Sequence, residues 1–147
     1  MSAAEQGHLE AVTLLLAHGA RTETQDDQST TALMRAAQSD HSSVVAALLD
    51  HGAPVDQRDD RGCTALSLAV QCRGVASAKA LLSYDADPNA RAGERYGNPE
   101  GGWYTLLHWA ASGDDAEMVT MLLAGGAHPR VKNAQGLTVL QVRSRKT

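Results

Sequence analysis

Apolar and polar positions repeat along the chain with a period of 33 residues. Each unit opens at a threonine followed by small and apolar residues, continues to a Leu-Leu pair and ends in a polar stretch. The threonines that open the units are Thr31, Thr64, Thr105 and Thr138, at separations of 33, 41 and 33 residues. One register therefore holds throughout, with a single insertion of eight residues before Thr105.

This pattern predicts a short and a longer helix in each unit, because the apolar residues recur with helical spacing. The threonine hydroxyl is suited to cap the short helix, and Gly19 and Gly52 are suited to the left-handed position that ends the longer one. On the first long helix, Val12, Leu15 and Leu16 are predicted to be buried. The predicted helices are Ser2–Gln6, Leu9–Ala17, Ala32–Ser39, Ser43–Asp50, Ala65–Cys72, Ala76–Ser83, Leu106–Ser112, Ala116–Leu123 and Val139–Arg143.

Several short segments match one known pattern. Thr105–Ala111 reads T-x-L-H-x-A-A, Gly62 stands two residues before Thr64, and Ala86–Asn89 reads Ala-Asp-Pro-Asn. These segments and the 33-residue period resemble the ankyrin repeat. The resemblance implies an all-α solenoid of stacked helix-turn-helix units with short β-hairpin-like fingers. The proline that the family usually has after the threonine is absent, its place being taken by Ala32, Ala65, Leu106 and Val139.

The resemblance covers nearly the whole chain, which we interpret as a single repeat domain over residues 1–147. Its units are a partial 2–28, then 29–61, 62–94 and 102–134, with 135–147 as a partial unit or cap and 94–101 as the insertion. The first unit starts inside its short helix. A second hypothesis therefore stays open, in which this is a regulatory or targeting module of a larger enzyme or channel.

Composition narrows the class of partner. The net charge is −4 without a basic stripe, so a nucleic-acid footprint is not expected. No apolar stretch approaches 18 residues, so no membrane span is expected. The two cysteines give no disulfide framework, which favours an intracellular protein, cytoplasmic or nuclear. We expect a monomer that binds another protein as a scaffold or adaptor, since ankyrin arrays are mostly binding scaffolds.

The insertion concentrates the aromatic residues of the chain. Tyr96, Trp103 and Tyr104, three of only five aromatic side chains, lie within nine residues of one another. Four glycines and an Asn-Pro pair between residues 92 and 103 rule out a regular helix there. We predict an enlarged fingertip loop whose aromatic side chains anchor a partner. In the alternative, Trp103 and Tyr104 fold back over the seam between the third and fourth units.

The concave surface is the second predicted binding region, because partners of ankyrin proteins commonly contact the fingertips and the exposed side of the short helices. By register, these positions are mixed polar with little charge, which suits a protein partner better than a phosphate backbone. Besides Tyr104 they are Gln28, Thr30, Gln38, Ser39, Arg61, Gln71, Cys72 and Ser112, and Cys63 maps to the same exposed side. In the alternative, this face is simply solvated.

Catalysis, cofactors and metals find no support in the sequence. The histidines recur with the repeat rather than as a ligand set, and equivalent atoms of stacked units lie too far apart to share a metal ion. No phosphate loop, H-E-x-x-H segment or nucleophile elbow occurs, so we expect neither an enzyme nor a small-molecule substrate. The resemblance implies that Asn89 matches the asparagine that hydroxylases modify in some ankyrin proteins. Its simpler role is a hydrogen bond across the finger turn.

Overall fold

The computed structural model describes residues 1–91 and 104–142 in full and the backbone of Arg143. These residues form nine helices and isolated antiparallel β-bridges. The helices are α1 Ser2–Glu5, α2 Leu9–Ala17, α3 Ala32–Gln38, α4 Ser42–Asp50, α5 Ala65–Gln71, α6 Val75–Ser83, α7 Leu106–Ser112, α8 Ala116–Ala124 and α9 Val139–Arg143. Every predicted helix occurs, and no end differs from the prediction by more than one residue.

The helices pack in two layers. The inner layer contains α1, α3, α5, α7 and α9, and each of these helices contacts the next one. The outer layer contains α2, α4, α6 and α8, which also contact one another in order. The two helices of each unit contact each other as well, so the chain forms the predicted all-α solenoid.

Four segments join an outer helix to the inner helix of the next unit, and we call them fingers. The first finger is residues 20–30, the second is 53–63, the third is 86–104 and the last is 127–137. β-Bridges pair Gln25 with Thr31 and Lys132 with Thr138, so the first and last fingers are hairpin-like at their base, as predicted.

Thr31, Thr64 and Thr105 cap their inner helices as predicted. The hydroxyl of Thr31 accepts a hydrogen bond from the Met34 N–H at 3.3 Å, and Thr105 does the same for His108 at 3.4 Å. Thr64 and Ser67 form a reciprocal capping box at the start of α5. These caps satisfy backbone donors that the first turn of a helix leaves without partners.

The core is built from small and aliphatic side chains, and it contains no Tyr or Trp among the described residues. Fully buried alanines such as Ala36 and Ala69 let neighbouring inner helices approach closely. The prediction that Leu15 is buried is wrong, because Leu15 is 55% exposed while Val12 and Leu16 are buried. Leu15 lies on the side of α2 away from α4, where no other described helix covers it.

Left-handed residues end the outer helices where the sequence predicts them. Gly19 and Gly52 have φ angles of 83° and 80°. The equivalent residue of the third unit is Asp85, which adopts the same conformation at φ 60° although it carries a side chain. Left-handed residues also end the inner helices. At Gly7 a Cβ would lie 2.6 Å from Nδ1 of His41, so any larger residue would force the His41 ring to move.

Candidate protein-interaction surface

In each of the three fingers that the structure describes in full, one side-chain oxygen closes the turn. In the second finger, Oδ1 of Asp59 accepts hydrogen bonds from the N–H groups of Arg61 and Cys63 at 2.9 and 2.8 Å. The equivalent residues Asp26 and Asn133 accept from the same two relative positions, at distances between 2.9 and 3.0 Å. Asx side chains that bind the backbone two residues ahead favour tight turns, so these residues set the shape of the fingertips.

This turn directs the residue before each capping threonine into the protein. Thr30 is 2% exposed and Cys63 is fully buried, so the predictions that place them on the exposed concave side are wrong. Burial raises the pKa of the Cys63 thiol, which makes a reactive thiolate unfavourable there. Tyr104 holds the same relative position but is half-buried, with its ring edge-to-face with His108 at a centroid distance of 5.8 Å.

Two arginines form ion pairs with the turn residues of the first and second fingers. Arg35 on α3 donates to Oδ2 of Asp26 at 2.8 Å, and this contact together with the Thr30 N–H lowers the pKa of Asp26 to about 2. Arg61 is half-buried and donates to Oδ2 of Asp59 through Nε at 3.1 Å and Nη2 at 2.9 Å. Arg61 was predicted to contact a partner, and in the isolated chain its guanidinium binds its own finger.

The ends of the inner helices form a polar row that crosses three units. Gln38 and Gln71 are the last residues of α3 and α5, and Ser112 is the last residue of α7. Ser39 and Cys72 follow directly as the C-caps of α3 and α5. Gln38, Ser39, Cys72 and the fingertip residue Gln28 are exposed, whereas Gln71 and Ser112 are half-buried. We call the five residues at the helix ends, Gln38, Ser39, Gln71, Cys72 and Ser112, the polar row.

Trp109 is a surface residue that the sequence reasoning missed. It is half-buried on α7, packs against the core, and aligns with Arg35 and Leu68 in the 33-residue register. Because Arg35 reaches Asp26 in a finger, this helical position faces the fingers. The register together with the contact between Arg35 and Asp26 therefore indicates that Trp109 lies on the side of α7 that faces the fingers.

The third finger has the same paired base as the first and last fingers, but more residues lie between the paired positions. Gln25 and Thr31 are six residues apart, as are Lys132 and Thr138, whereas the paired Arg91 and Thr105 are fourteen apart. All eight inserted residues thus lie between the two paired positions, and the solenoid on either side keeps its register. The predicted contact residues Tyr96 and Trp103 lie outside the described residues.

The His108 side chain holds two parts of the fold together through hydrogen bonds. It is fully buried, with Nδ1 2.8 Å from the Thr105 hydroxyl and Nε2 3.1 Å from the carbonyl oxygen of Leu137 in the last finger. A carbonyl only accepts, so Nε2 carries the proton and Nδ1 accepts from Thr105. Burial lowers the pKa of His108, although the bond to Leu137 acts in the opposite direction. The neutral imidazole joins the fourth unit to the last finger.

Asn89 also joins neighbouring units. Its Oδ1 accepts from the N–H of His128 at 2.9 Å and its Nδ2 donates to the carbonyl oxygen of Gly126 at 3.3 Å. The predicted bond across its own finger turn is replaced by these bonds to the loop after α8.

Within residues 1–91 and 104–142, no three His, Cys, Asp or Glu side chains come close enough to hold a metal ion. No helix in this part of the chain is long and apolar enough to cross a membrane.

Stacked two-helix units with paired fingers define a helical-repeat scaffold. Comparison with family profiles identifies which kind it is. A profile for ankyrin repeats (3 copies) matches residues 1–92, and a profile for ankyrin repeats (many copies) matches residues 81–142. The chain therefore belongs to the ankyrin-repeat family, whose repeats are generally protein–protein interaction modules. A search of curated proteins finds no match.

Proposed function

We propose that this protein is a non-catalytic scaffold that binds a segment of a partner protein along its concave side. The observation that carries the proposal is the position of the insertion. Its eight residues lie in the third finger, which ends at the half-buried Tyr104, and the half-buried Trp109 follows on α7. Long loops on rigid scaffolds often carry binding residues, and Tyr and Trp are enriched at interface hot spots.

The chemistry of the concave side supports an extended polypeptide as the ligand. Amide and hydroxyl side chains of Gln38, Gln71 and Ser112 can both donate and accept hydrogen bonds to a partner backbone. The arginines of this surface, Arg35 and Arg61, already bind Asp26 and Asp59 and so offer reduced charge to a phosphate backbone. We infer that the polar row sets the register of the partner while the aromatic residues, including Tyr96 and Trp103, supply most of the affinity.

We also propose an oligomeric state and a cellular location for the protein. We expect a monomer without cofactor or metal, acting inside the cell in the cytoplasm or nucleus. Cys63 and Cys72 are both free thiols, and Cys72 is exposed, which suits a reducing compartment.

The test compares matched baits in affinity capture from a cell lysate. One bait is the intact chain, and a second lacks residues 94–101, which restores the 33-residue period. A third carries Gln38→Ala and Gln71→Ala. The control carries Lys79→Ala on the outer helix α6, at an exposed position away from the concave side.

A partner that binds the intact chain and the Lys79→Ala control, but loses affinity in the other two baits, supports the proposed surface. A partner that depends on residues 94–101 and not on the glutamines restricts binding to the third finger. A partner that binds all four baits equally contradicts the proposal. Retained helicity of each bait, measured by circular dichroism, separates loss of binding from loss of fold.

A further inference from the structure

Three exposed cationic side chains occupy the same position in successive fingers. Arg58, Arg91 and Lys132 are equivalent in the repeat, and all three are exposed. Arg58 and Lys132 directly precede the residues that close the turns of their fingers, and Arg91 and Lys132 are bridged residues at the bases of theirs. We call these three residues the cationic row. The sequence shows no basic stripe because 33 and 41 residues separate the members of the row.

Hydrogen bonds between neighbouring fingers hold the cationic row in register. Oδ1 of Asp56 in the second finger accepts from the N–H of Asp87 in the third finger at 3.1 Å. Asn89 is the equivalent of Asp56, and its Oδ1 accepts from the N–H of His128 in the last finger at 2.9 Å. The same contact thus joins both pairs of fingers. The backbones of neighbouring row members are therefore about 10 Å apart, which is the distance between packed helices of successive units.

The charges of the row are available to a ligand. Arg58 donates to a backbone carbonyl oxygen of its own finger, which leaves its positive charge uncompensated. Neither Arg58 nor Lys132 forms an ion pair with a carboxylate of the residues that the structure describes. The carboxylates nearest to Arg58 in sequence on its exposed side, Asp56 and Asp60, accept hydrogen bonds from the third and first fingers.

The charge balance of the fingers also changes along the array. The first finger contains one arginine and three carboxylates, and it has the uncharged Gln25 at the row position. The second and third fingers each contain two arginines and three carboxylates. The last finger contains Arg130 and Lys132 and neither Asp nor Glu. A negatively charged ligand is therefore favoured on the second to last fingers, and most strongly on the last one.

We propose that the cationic row binds an acidic segment of a partner protein in the polyproline II conformation, with a carboxylate at every third residue. Such a helix has three residues per turn and rises about 3.1 Å per residue, so every third side chain lies on one side at intervals of about 9 Å. This interval matches the row. In a β-strand, side chains on one face are only about 7 Å apart. The inference rests on the proposed function, because it gives the chemistry of the partner segment.

The test uses two synthetic peptides of equal composition and charge. One consists of four Glu-Pro-Pro repeats, which place a carboxylate at every third residue of a polyproline II helix. The other has the four glutamates in one block before the eight prolines. Binding of each fluorescently labelled peptide to the full chain is measured by fluorescence anisotropy at about 10 mM salt, where exposed charges are weakly screened.

The variant Arg58→Gln with Lys132→Gln removes both ends of the row, and glutamine is the residue that the first finger has at this position. The matched control, Arg21→Gln with Lys79→Gln, removes the same charge from exposed positions outside the row. We expect the chain to bind the spaced peptide about five times more tightly than the block peptide, because each exposed ion pair contributes little. The row variant should bring this ratio to about one, and the control should keep it.

Four outcomes overturn the inference, provided that circular dichroism shows retained helicity in each variant. The chain binds neither peptide, or it binds both equally, so the row has no preferred spacing. The control lowers the ratio as much as the row variant, so net charge and not position matters. Single-stranded oligothymidine binds more tightly than the spaced peptide and loses affinity in the row variant, so a nucleic acid is the occupant. A protein captured by the intact chain binds the row variant equally well, which contradicts this inference alone and leaves the proposed function in place.

Discussion

The second and last fingers have the same turn but different surroundings. In the second finger, Asp59 has no exposed side-chain surface and binds the guanidinium of Arg61 as well as two backbone N–H groups. In the last finger, Asn133 binds only the two N–H groups through Oδ1, and its buried Nδ2 makes no hydrogen bond within the described part of the chain. Support comes instead from His108, which donates to the Leu137 carbonyl.

The difference separates two roles of the turn residue. Oδ1 alone is sufficient for the turn, since a carboxylate and an amide produce the same pair of hydrogen bonds. The charge of the turn residue determines which further side-chain contact stabilises the finger. The first two fingers are stabilised by ion pairs, with Arg35 of α3 in the first and Arg61 of the finger itself in the second. The last finger depends on the neutral imidazole of His108 on α7. The two kinds of finger should therefore respond differently to substitution and to pH.

The largest effect is expected from Asp59→Ala. This change removes the acceptor of the buried Cys63 N–H and of the Arg61 guanidinium, and it should lower the free energy of unfolding by about 3 kcal/mol. Asp59→Asn keeps Oδ1, as in Asn133, and should cost about 1 kcal/mol. Urea denaturation at neutral pH measures both. Equal losses for Ala and Asn would show that the charge, and not the oxygen, holds the turn.

His108→Gln should cost about 2 kcal/mol at pH 8, because it disrupts the bonds to Thr105 and Leu137 in a packed site. Burial lowers the pKa of His108 in the folded protein, so the folded state binds fewer protons than the unfolded state below the usual pKa of 6.5. Its contribution to stability is therefore complete above pH 6.5 and is lost as the pH falls below that value.

The measurement for His108 is the free energy of unfolding from pH 5 to 8 in the wild type and in His108→Gln. The difference between the two proteins should narrow as the pH falls. His51→Gln is the control, since His51 is exposed and binds the Ala47 carbonyl at the end of its own helix. A constant difference across this range would mean that His108 contributes through packing alone.

A smaller effect is expected from Asp26→Asn, since Asp26 and Arg35 remain partly exposed and solvent screens their interaction. The pKa of Asp26 is lowered from 3.8 to about 2 in the folded protein. Its contribution is present above pH 3.8 and is lost as the pH falls through the folded value, the opposite end of the pH range from His108. Acid titration of the wild type and of Asp26→Asn should give curves that converge near pH 2. Parallel curves would contradict the ion pair.

These contrasts also indicate how far the sequence could predict the structure. Helix bounds and threonine caps follow from a local pattern that repeats in register, and they were predicted to within one residue. The inward orientation of Thr30 and Cys63 could not be read in this way. It depends on hydrogen bonds that their own N–H groups donate to side chains four positions earlier, and the turn that these bonds form has no apolar periodicity. The exposure of Leu15 depends on neighbours in space and not on the helix that contains it.

The residues of the candidate binding surface divide in the same way, between those that the helix register predicts and those that depend on contacts in space. Gln38, Ser39 and Cys72 follow directly from the helix register and are exposed as expected. Trp109 was missed because an aromatic residue at a helical position that holds buried Leu68 in another unit reads as core. Only the contact between Arg35 and Asp26 shows that this position faces the fingers.

The smallest effect is expected from substitutions that give the last finger the turn residues of the second finger. Asn133 and Gln135 align with Asp59 and Arg61. Asn133→Asp alone should change the free energy of unfolding by less than about 0.5 kcal/mol, because stronger hydrogen bonds to the carboxylate are offset by its desolvation. Gln135→Arg alone should also have little effect.

The double variant should gain about 0.5 to 1 kcal/mol over the sum of the single changes, since it creates the bidentate pair that braces the second finger. It should also show a new loss of stability below pH 4, because the added carboxylate must then be protonated. A double-mutant cycle by urea denaturation at pH 7 and pH 3 measures both effects. Additive changes at pH 7 would show that the ion pair of the second finger depends on surrounding residues as well as on these two side chains.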